Sequence, residues 1–314
     1  MTLKEFPARS FRSGFVAFVG RPNVGKSTLV NQLVGQKVAI TSPVAQTTRN
    51  RLRAILTTPD AQLVILDTPG IHKPHHLLGE RLVQSARSSI GEVDVVLLMF
   101  EGFKLPGKGD EFIVRLLQNQ KVPVVVALNK WDLASRANQD NIEDSYQKLL
   151  SNSDWPIYRC SATTGDGCDS LIAELVNYLP LGPQLYPSEM VCDQPERVLL
   201  ADLIREQVLL HTREEIPHSV AVRIERIEEM SPGKEASSKA PSTAILATVF
   251  VERKSQKGIL IGKGGAMLKT IGHGARLQMQ KLIDGPVYLE LFVKVVIDWR
   301  SKPSRLNELG YEGN

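Results

Sequence analysis

The chain has 314 residues, 42% of them hydrophobic and 23% charged, with 23 Gly and 18 Pro. That length holds roughly two domains, and the composition excludes collagenous, low-complexity and wholly disordered chains. The net charge of +4 is shared almost evenly, +3 over residues 1–181 and +1 over residues 182–314, so neither half is basic as a whole.

Residues 1–13 read as an N-terminal extension. They carry Glu5 and Arg12, and the apolar run that follows, Phe15–Val19, is too short for a signal-peptide core. From there short apolar runs alternate with amphipathic segments. Phe15–Val19, Leu63–Leu66, Val95–Phe100, Val122–Leu128 and Ile157–Cys160 read as strands, mostly unbroken in apolar character, as strands buried on both faces of a parallel sheet are. Between them Lys26–Val34, Leu78–Ile90, Asp110–Gln118, Asp140–Ser151 and Ser170–Tyr178 read as helices. The alternation predicts a doubly wound α/β domain over residues 14–181. No run approaches the length of a membrane span, and the three cysteines, Cys160, Cys168 and Cys192, fit reduced thiols better than a metal or disulfide site. A cytoplasmic chain is expected, with peripheral membrane contact left open.

Four motifs stand at strand ends. Gly20-Arg21-Pro22-Asn23-Val24-Gly25-Lys26-Ser27 leaves the first strand and opens a helix that continues through Thr28. It has the form G-x-x-x-x-G-K-[ST], which average residue usage would place in about 1% of chains this long. Its glycines let backbone N–H groups close around phosphate oxygens at a helix N-terminus; Lys26 neutralises the outer phosphates and the Ser27 hydroxyl ligates Mg²⁺. Asp67-Thr68-Pro69-Gly70 leaves the second strand. There Asp67 would hold Mg²⁺ through water, and the Gly70 N–H would sense the γ-phosphate of a triphosphate. Asn129-Lys130-Trp131-Asp132 leaves the fourth strand. The Asp132 carboxylate can accept both N1–H and N2–H₂ of guanine, a donor pair that adenine lacks. Asn129 would bond the other base edge while the Lys130 stem covers the ring. Ser161-Ala162-Thr163 leaves the last strand, where the Ala162 N–H would reach guanine O6.

Together these residues resemble the TRAFAC-class GTPases over essentially all of residues 14–180, and Gln46-Thr47-Thr48-Arg49 resembles the first switch of their translation-associated branch. The resemblance implies that Thr48, or less well Thr47, ligates Mg²⁺ in the GTP state. Lys26, Thr48, Gly70 and Asn23 are the expected catalytic group. Ras-like enzymes carry a water-orienting Gln after the D-x-x-G glycine; here it is Ile71, so intrinsic hydrolysis is expected to be slow. Related GTPases with Asn at the position of Asn23 use K⁺, which would supplement the charge of Lys26. His72 and Lys73 read as solvated loop residues.

Leu179–Pro187 packs three Pro and a Gly into nine positions, too many for a regular element, and 182–196 reads as a linker. Beyond it come a helix, Arg197–His211, and two strands, Ser219–Glu228 and Thr243–Glu252, joined by a polar insert, Glu229–Ser242. A glycine-broken helical region, Ser255–Ile283, and a period-2 strand, Val287–Ile297, complete an α+β domain over 197–301, with 302–314 as a tail. Residues 253–283 hold seven Lys/Arg and no acid, which suits a polyanion. At their centre Gly262-Lys263-Gly264-Gly265 is a G-x-x-G loop between apolar helical segments, where a sugar–phosphate backbone can approach closely. The similar Gly310-Tyr311-Glu312-Gly313 reads as chance.

Element order and loop resemble a type II KH domain. The resemblance puts Gly262, Lys263, Gly264 and Gly265 on the phosphates of single-stranded RNA, with Lys257, Ile261, Lys269 and Arg276 lining the groove. The whole chain then resembles the Era family, GTPases that assist small ribosomal subunit assembly, bind near the 3′ end of its RNA and associate peripherally with the inner membrane. The resemblance implies Mg²⁺ and K⁺ as cofactors, GTP and GDP as substrate and product, small-subunit rRNA as partner, and a monomer. The alternative reading is a GTPase regulating a membrane-associated or RNA-modification complex, with the KH domain as docking platform.

Overall fold

A computed structural model describes residues 11–42, 52–68, 70, 90–230, 242–283 and 285–308. They form two compact units: the first takes the described residues up to Ala39 and from 52 to Asp193, the second residues 40–42 and those from Gln194 on.

The first unit is built on a six-stranded sheet in the order β2-β3-β1-β4-β5-β6. Strands β1 (Arg12–Gly20), β3 (Ala61–Asp67), β4 (Val95–Glu101), β5 (Val124–Asn129) and β6 (Ile157–Arg159) run parallel, while β2 (Leu52–Thr57) pairs antiparallel with β3. Alternate residues of the central strands feed two cores. Phe18, Ile65, Leu97 and Val125 meet Leu29 and Val30 of helix α1 (Lys26–Val34) and Leu171 and Leu175 of a later helix, Cys168–Asn177. On the other face Val19, Leu98, Phe100 and Val126 meet Ile113 and Leu117 of α2 (Lys108–Gln118) and Ile142 and Tyr146 of α3 (Gln139–Leu149). Helix Cys168–Asn177 is α4. Burial on both faces is why these strands read as continuous apolar runs.

Two features depart from the expected organisation. Strand β2 was not anticipated: Leu-Arg-Ala-Ile-Leu-Thr is short and carries an exposed Arg53. The segment expected as a linker over 182–196 is docked along the first unit as far as Asp193. Ile55 N–H donates to Val191 O (2.9 Å) and Asp193 N–H to Arg53 O (3.0 Å), adding a short rung to the free edge of β2. Gln62, fully buried, accepts the N–H groups of Leu185 (2.7 Å) and Tyr186 (2.9 Å) on Oε1 and donates through Nε2 to Tyr186 O (2.9 Å). A Pro-rich stretch cannot satisfy its own backbone in a helix or ladder, so its polar groups are met by the neighbouring sheet edge.

The second unit follows the expected α-β-β-α-α-β order, with short additions. It comprises α5 (Glu196–His211), α6 (Ile216–Ser219), β7 (Ala221–Met230), β8 (Ser242–Val251), α7 (Lys254–Ile261), α8 (Ala266–Met279) and β9 (Val287–Val295). Its sheet runs β7-β8-β9, the first pair antiparallel and the second parallel. Leu200, Ile204 and Val208 of α5, Leu260 of α7, and Ile271, Ala275 and Met279 of α8 pack over the inner face of this sheet. The expected C-terminal tail begins with a helix, α9 (Pro303–Glu308), whose Leu306 is fully buried.

Candidate functional site

Each nucleotide motif lies where a parallel strand ends. The loop from Gly20 to Ser27 leaves β1, turns through Asn23 and Gly25, both at positive φ (67° and 100°), and starts α1 at Lys26. Gly25 is obligatory for space as well as conformation, because a Cβ there would collide with the Asn129 side-chain amide. Lys26 is buried, and its Nζ donates to the carbonyls of Gly20 (3.2 Å) and Arg21 (3.0 Å). The Ser27 hydroxyl donates to Asp67 Oδ2 at 2.8 Å. A hydroxyl and a buried carboxylate converging beside a lysine are a donor set of hard oxygens, which fits Mg²⁺. Gly70 lies against Pro22, so the second motif touches the first. Thr68, expected among the nucleotide contacts, donates its hydroxyl to Phe18 O (2.7 Å) and fastens its loop to β1. Thr28 is half-buried on α1. Thr48 and Pro69 lie outside the described residues, as do Gln46, Thr47, Arg49 and Ile71.

Burial pushes the Lys26 ammonium down to about 8, with the Asp67 charge opposing the shift. Between that value and the ordinary 10.5 the unfolded chain keeps a proton that the folded, nucleotide-free chain has lost. Stability should therefore rise with pH across that window, and Lys26→Met should flatten the rise while abolishing nucleotide binding. Urea midpoints at the two ends of the window would test this; a wild-type midpoint that does not move would refute it.

The base loop differs from its sequence reading. Asn129 Nδ2 donates to Val24 O (2.8 Å), and its Oδ1 accepts the Ala162 N–H (2.9 Å). Asn129 thus ties the phosphate loop to the Ser161-Ala162-Thr163 loop, and the N–H assigned to guanine O6 is already donated within the protein. One amide hydrogen of Asn129 remains for a base edge, since its NH₂ carries two. Ser161 is buried and its hydroxyl accepts the Thr164 N–H (3.2 Å), while Thr163 is exposed. Lys130, at φ 61°, sends Nζ to Asn23 O (2.6 Å) and Glu101 Oε1 (2.7 Å). Asp132 is exposed in the short turn that follows, as a carboxylate receiving a base must be. Arg21 contributes only backbone to the loop's concavity: its Nε faces Asp110 Oδ1 at 2.8 Å. Neither Glu101 nor Asp110 was anticipated; an acid at a strand end is a signal only once the loops around it are known.

In the second unit the loop Gly262–Gly265 joins α7 to α8, with Gly262, Gly264 and Gly265 all at positive φ (71°, 60° and 82°). Lys263 and Lys269 are exposed, and Lys257, Ile261 and Arg276 are half-buried. Ile259, not singled out by the sequence, is 54% exposed on α7. An apolar side chain bare among cations suits an unstacked base.

Comparison with known proteins finds the same two kinds of domain. A family model described as 50S ribosome-binding GTPase matches residues 15–130, and a KH domain model matches residues 215–300. GTPase Era of Nostoc sp. is 58% identical over 302 residues, 96% of this chain and 90% of the relative. The chain belongs to the GTPase Era family. GTPase Era of Rippkaea orientalis is 55% identical over 99% of this chain and 97% of its own. Among solved structures, Era in complex with MgGDPNP and nucleotides 1506–1542 of 16S ribosomal RNA is 39% identical, with a TM-score of 0.87 over 96% of this chain and 99% of that one. A variant of Aquifex aeolicus Era bound to GDP and AlF₄⁻ matches with the same score and coverage. The Era family's two-domain plan, a P-loop GTPase fold followed by a KH domain, is the one described above.

Proposed function

We propose that this chain is a GTP-hydrolysing switch that binds the single-stranded 3′ region of small-subunit rRNA and assists assembly of the small ribosomal subunit. What carries the reading is the presence in one chain of a phosphate loop in which Ser27 donates to Asp67 beside the buried Lys26, and a glycine loop in a stretch of sequence, residues 253–283, that holds seven Lys/Arg and no acid. Ser27 and Asp67 would hold Mg²⁺, with Thr48 added in the triphosphate state. Bound there, the ion neutralises charge on the phosphate oxygens. Lys26 holds the outer phosphates, the N–H groups from Asn23 to Ser27 orient them, and Asp132 selects guanine. Asn23, turned to positive φ at the crest of the loop, is the residue proposed to help hold K⁺. Ile71 supplies no polar group to orient water, so hydrolysis without RNA is slow.

Localisation in the cytoplasm, a monomeric state and peripheral contact with the inner membrane belong to the same reading. Among the described residues no helix is long and apolar enough to cross a membrane.

Single-turnover GTP hydrolysis, with and without an RNA spanning the 3′ end of small-subunit rRNA, tests the proposal. In KCl the RNA should accelerate hydrolysis at least about tenfold, equivalent to about 1.4 kcal/mol of barrier. Replacing KCl by NaCl should slow it, and equal rates in both salts would remove K⁺ from the reading. Binding without acceleration would leave an RNA anchor beside an independently controlled GTPase. Absence of binding would favour the docking-platform alternative.

A further inference from the structure

Glu101, the last residue of β4, stands among three cations of the nucleotide site's framework. Its Oε1 takes Lys130 Nζ at 2.7 Å; its Oε2 faces Lys104 Nζ at 3.1 Å and Arg21 Nη2 at 3.8 Å. Lys130 at the same time donates to the carbonyl of Asn23, on the phosphate loop, at 2.6 Å. Arg21, at the start of that loop, is ion-paired with Asp110, Nε lying 2.8 Å from Oδ1 without hydrogen-bond alignment. Asp110 is itself held in place, its Oδ2 accepting the Gly107 N–H at 2.9 Å at the start of α2. The Arg21 stem crosses the first turn of α2 where Gly109 leaves room; a Cβ there would lie 2.6 Å from Arg21 Cδ.

Besides the Asn129 bond to Val24 O, the phosphate loop is therefore held from outside at two further points, its Arg21 side chain and its Asn23 carbonyl. Both grips lead back to carboxylates that the phosphate and base motifs do not include. Exposed ion pairs contribute little. Here the acids are buried, the Asp110 side chain 0% and that of Glu101 12% accessible, while their cation partners are 28–55% accessible. A buried acid paired with cations leaves those cations uncompensated when its charge is removed. Burial works against the Glu101 charge, and the hydrogen bonds from Lys130 and Lys104 overcome it, holding its carboxyl below the ordinary range. Lys130 is also the residue whose stem covers the base. With its ammonium fixed by Glu101 the long side chain has already lost its rotamer freedom, so nucleotide binding need not order it.

We infer that Glu101, supported by Asp110, is a positioning acid that ties the phosphate loop to the base loop and sets how long guanine nucleotide stays bound. The inference rests on the nucleotide site described above. Glu101 acts through Lys130 and Arg21 rather than on the reacting atoms, so the residence time should change and the chemical step should not.

The test uses the full chain and Glu101→Gln, which keeps the shape and removes the charge. Stopped-flow release of a fluorescent GDP analogue should be about tenfold faster, since affinity changes of this kind fall mainly on dissociation. Single-turnover hydrolysis at saturating GTP should stay within about twofold of wild type, and the nucleotide-free unfolding temperature within about 2 °C. Asp110→Asn, acting through Arg21, should move release in the same direction and guards against a Glu101 variant that fails to fold. Release within about twofold of wild type in both variants would overturn the inference, as would an unfolding temperature that falls with no change in release. Asp132→Asn serves as the separate control. If it loses GDP while the two acid variants behave as wild type, only the positioning role fails. If it binds GDP as tightly as wild type, the base does not sit on this loop and both readings fail.

Discussion

Gly265→Asp should lower affinity for single-stranded RNA at least about 100-fold, close to 3 kcal/mol, without unfolding the second unit. Gly265 caps α8 at φ 82°, and nothing lies within 4 Å of where its Cβ would stand. The fold therefore meets only the strain of a left-handed residue, about 1 kcal/mol, and a carboxylate at a helix N-terminus offsets part of that. The ligand meets far more. The backbone that should pass close to an RNA phosphate now carries a negative charge at the contact. Gly262 offers the contrast. At φ 71° its Cβ would lie 2.8 Å from Met267 Cβ and 2.9 Å from Met267 N, so Gly262→Ala should lower the unfolding temperature as well as RNA binding. Fluorescence anisotropy with a labelled RNA, alongside thermal unfolding, separates the two. Gly265→Asp that binds RNA within about threefold of wild type would show that RNA does not run over this loop.

Asp132→Asn should turn the first unit from guanine to xanthine nucleotides. The carboxylate is exposed in the Trp131–Leu133 turn, and in the proposed function it would accept two N–H groups of guanine. Asn offers one acceptor and one donor, which suits the 2-oxo edge of xanthine. Guanine would then keep one neutral hydrogen bond in place of two to a charged group and meet donor against donor at N2, a cost of about 3–6 kcal/mol, or about 10²–10⁴ in GDP affinity. Because Asp132 is exposed, the unfolding temperature should hold. Competition between GDP and XDP for a fluorescent nucleotide gives the answer. A variant that still prefers GDP would move guanine recognition elsewhere.

The two functional centres were legible in the sequence because their chemistry is local. A phosphate loop needs glycines, a lysine and a hydroxyl within eight residues of a strand end, and Gly20–Ser27 supplies them in that order. The G-x-x-G loop likewise stands in a basic window that contains no acid. Uninterrupted apolar runs announced β1, β3, β4 and β5, since a strand buried on both faces has no polar side to alternate with.

What the sequence withheld depends on residues far apart along the chain. Strand β2 is stabilised by β3 on one side and by residues 191–193 on the other, partners that its six residues do not encode. The Pro-rich stretch after Leu179 was recognisably irregular, yet Ser13, Gln62, Arg53 and the open edge of β2 make it part of the first unit. Leu306 looked like tail and is core. Asn129 looked like a base contact and is first a tie between Val24 and Ala162. Glu101 and Asp110 are acids of the kind that usually face water, and they become the anchors of Lys130 and Arg21 only because the sheet brings the end of β4, the phosphate loop and the start of α2 together. Sequence alone thus determined which ligand chemistries the chain can address, because those reside in short runs of residues. The tertiary structure decided which side chains hold those runs in place, because burial and pairing of charge are properties of neighbours in space.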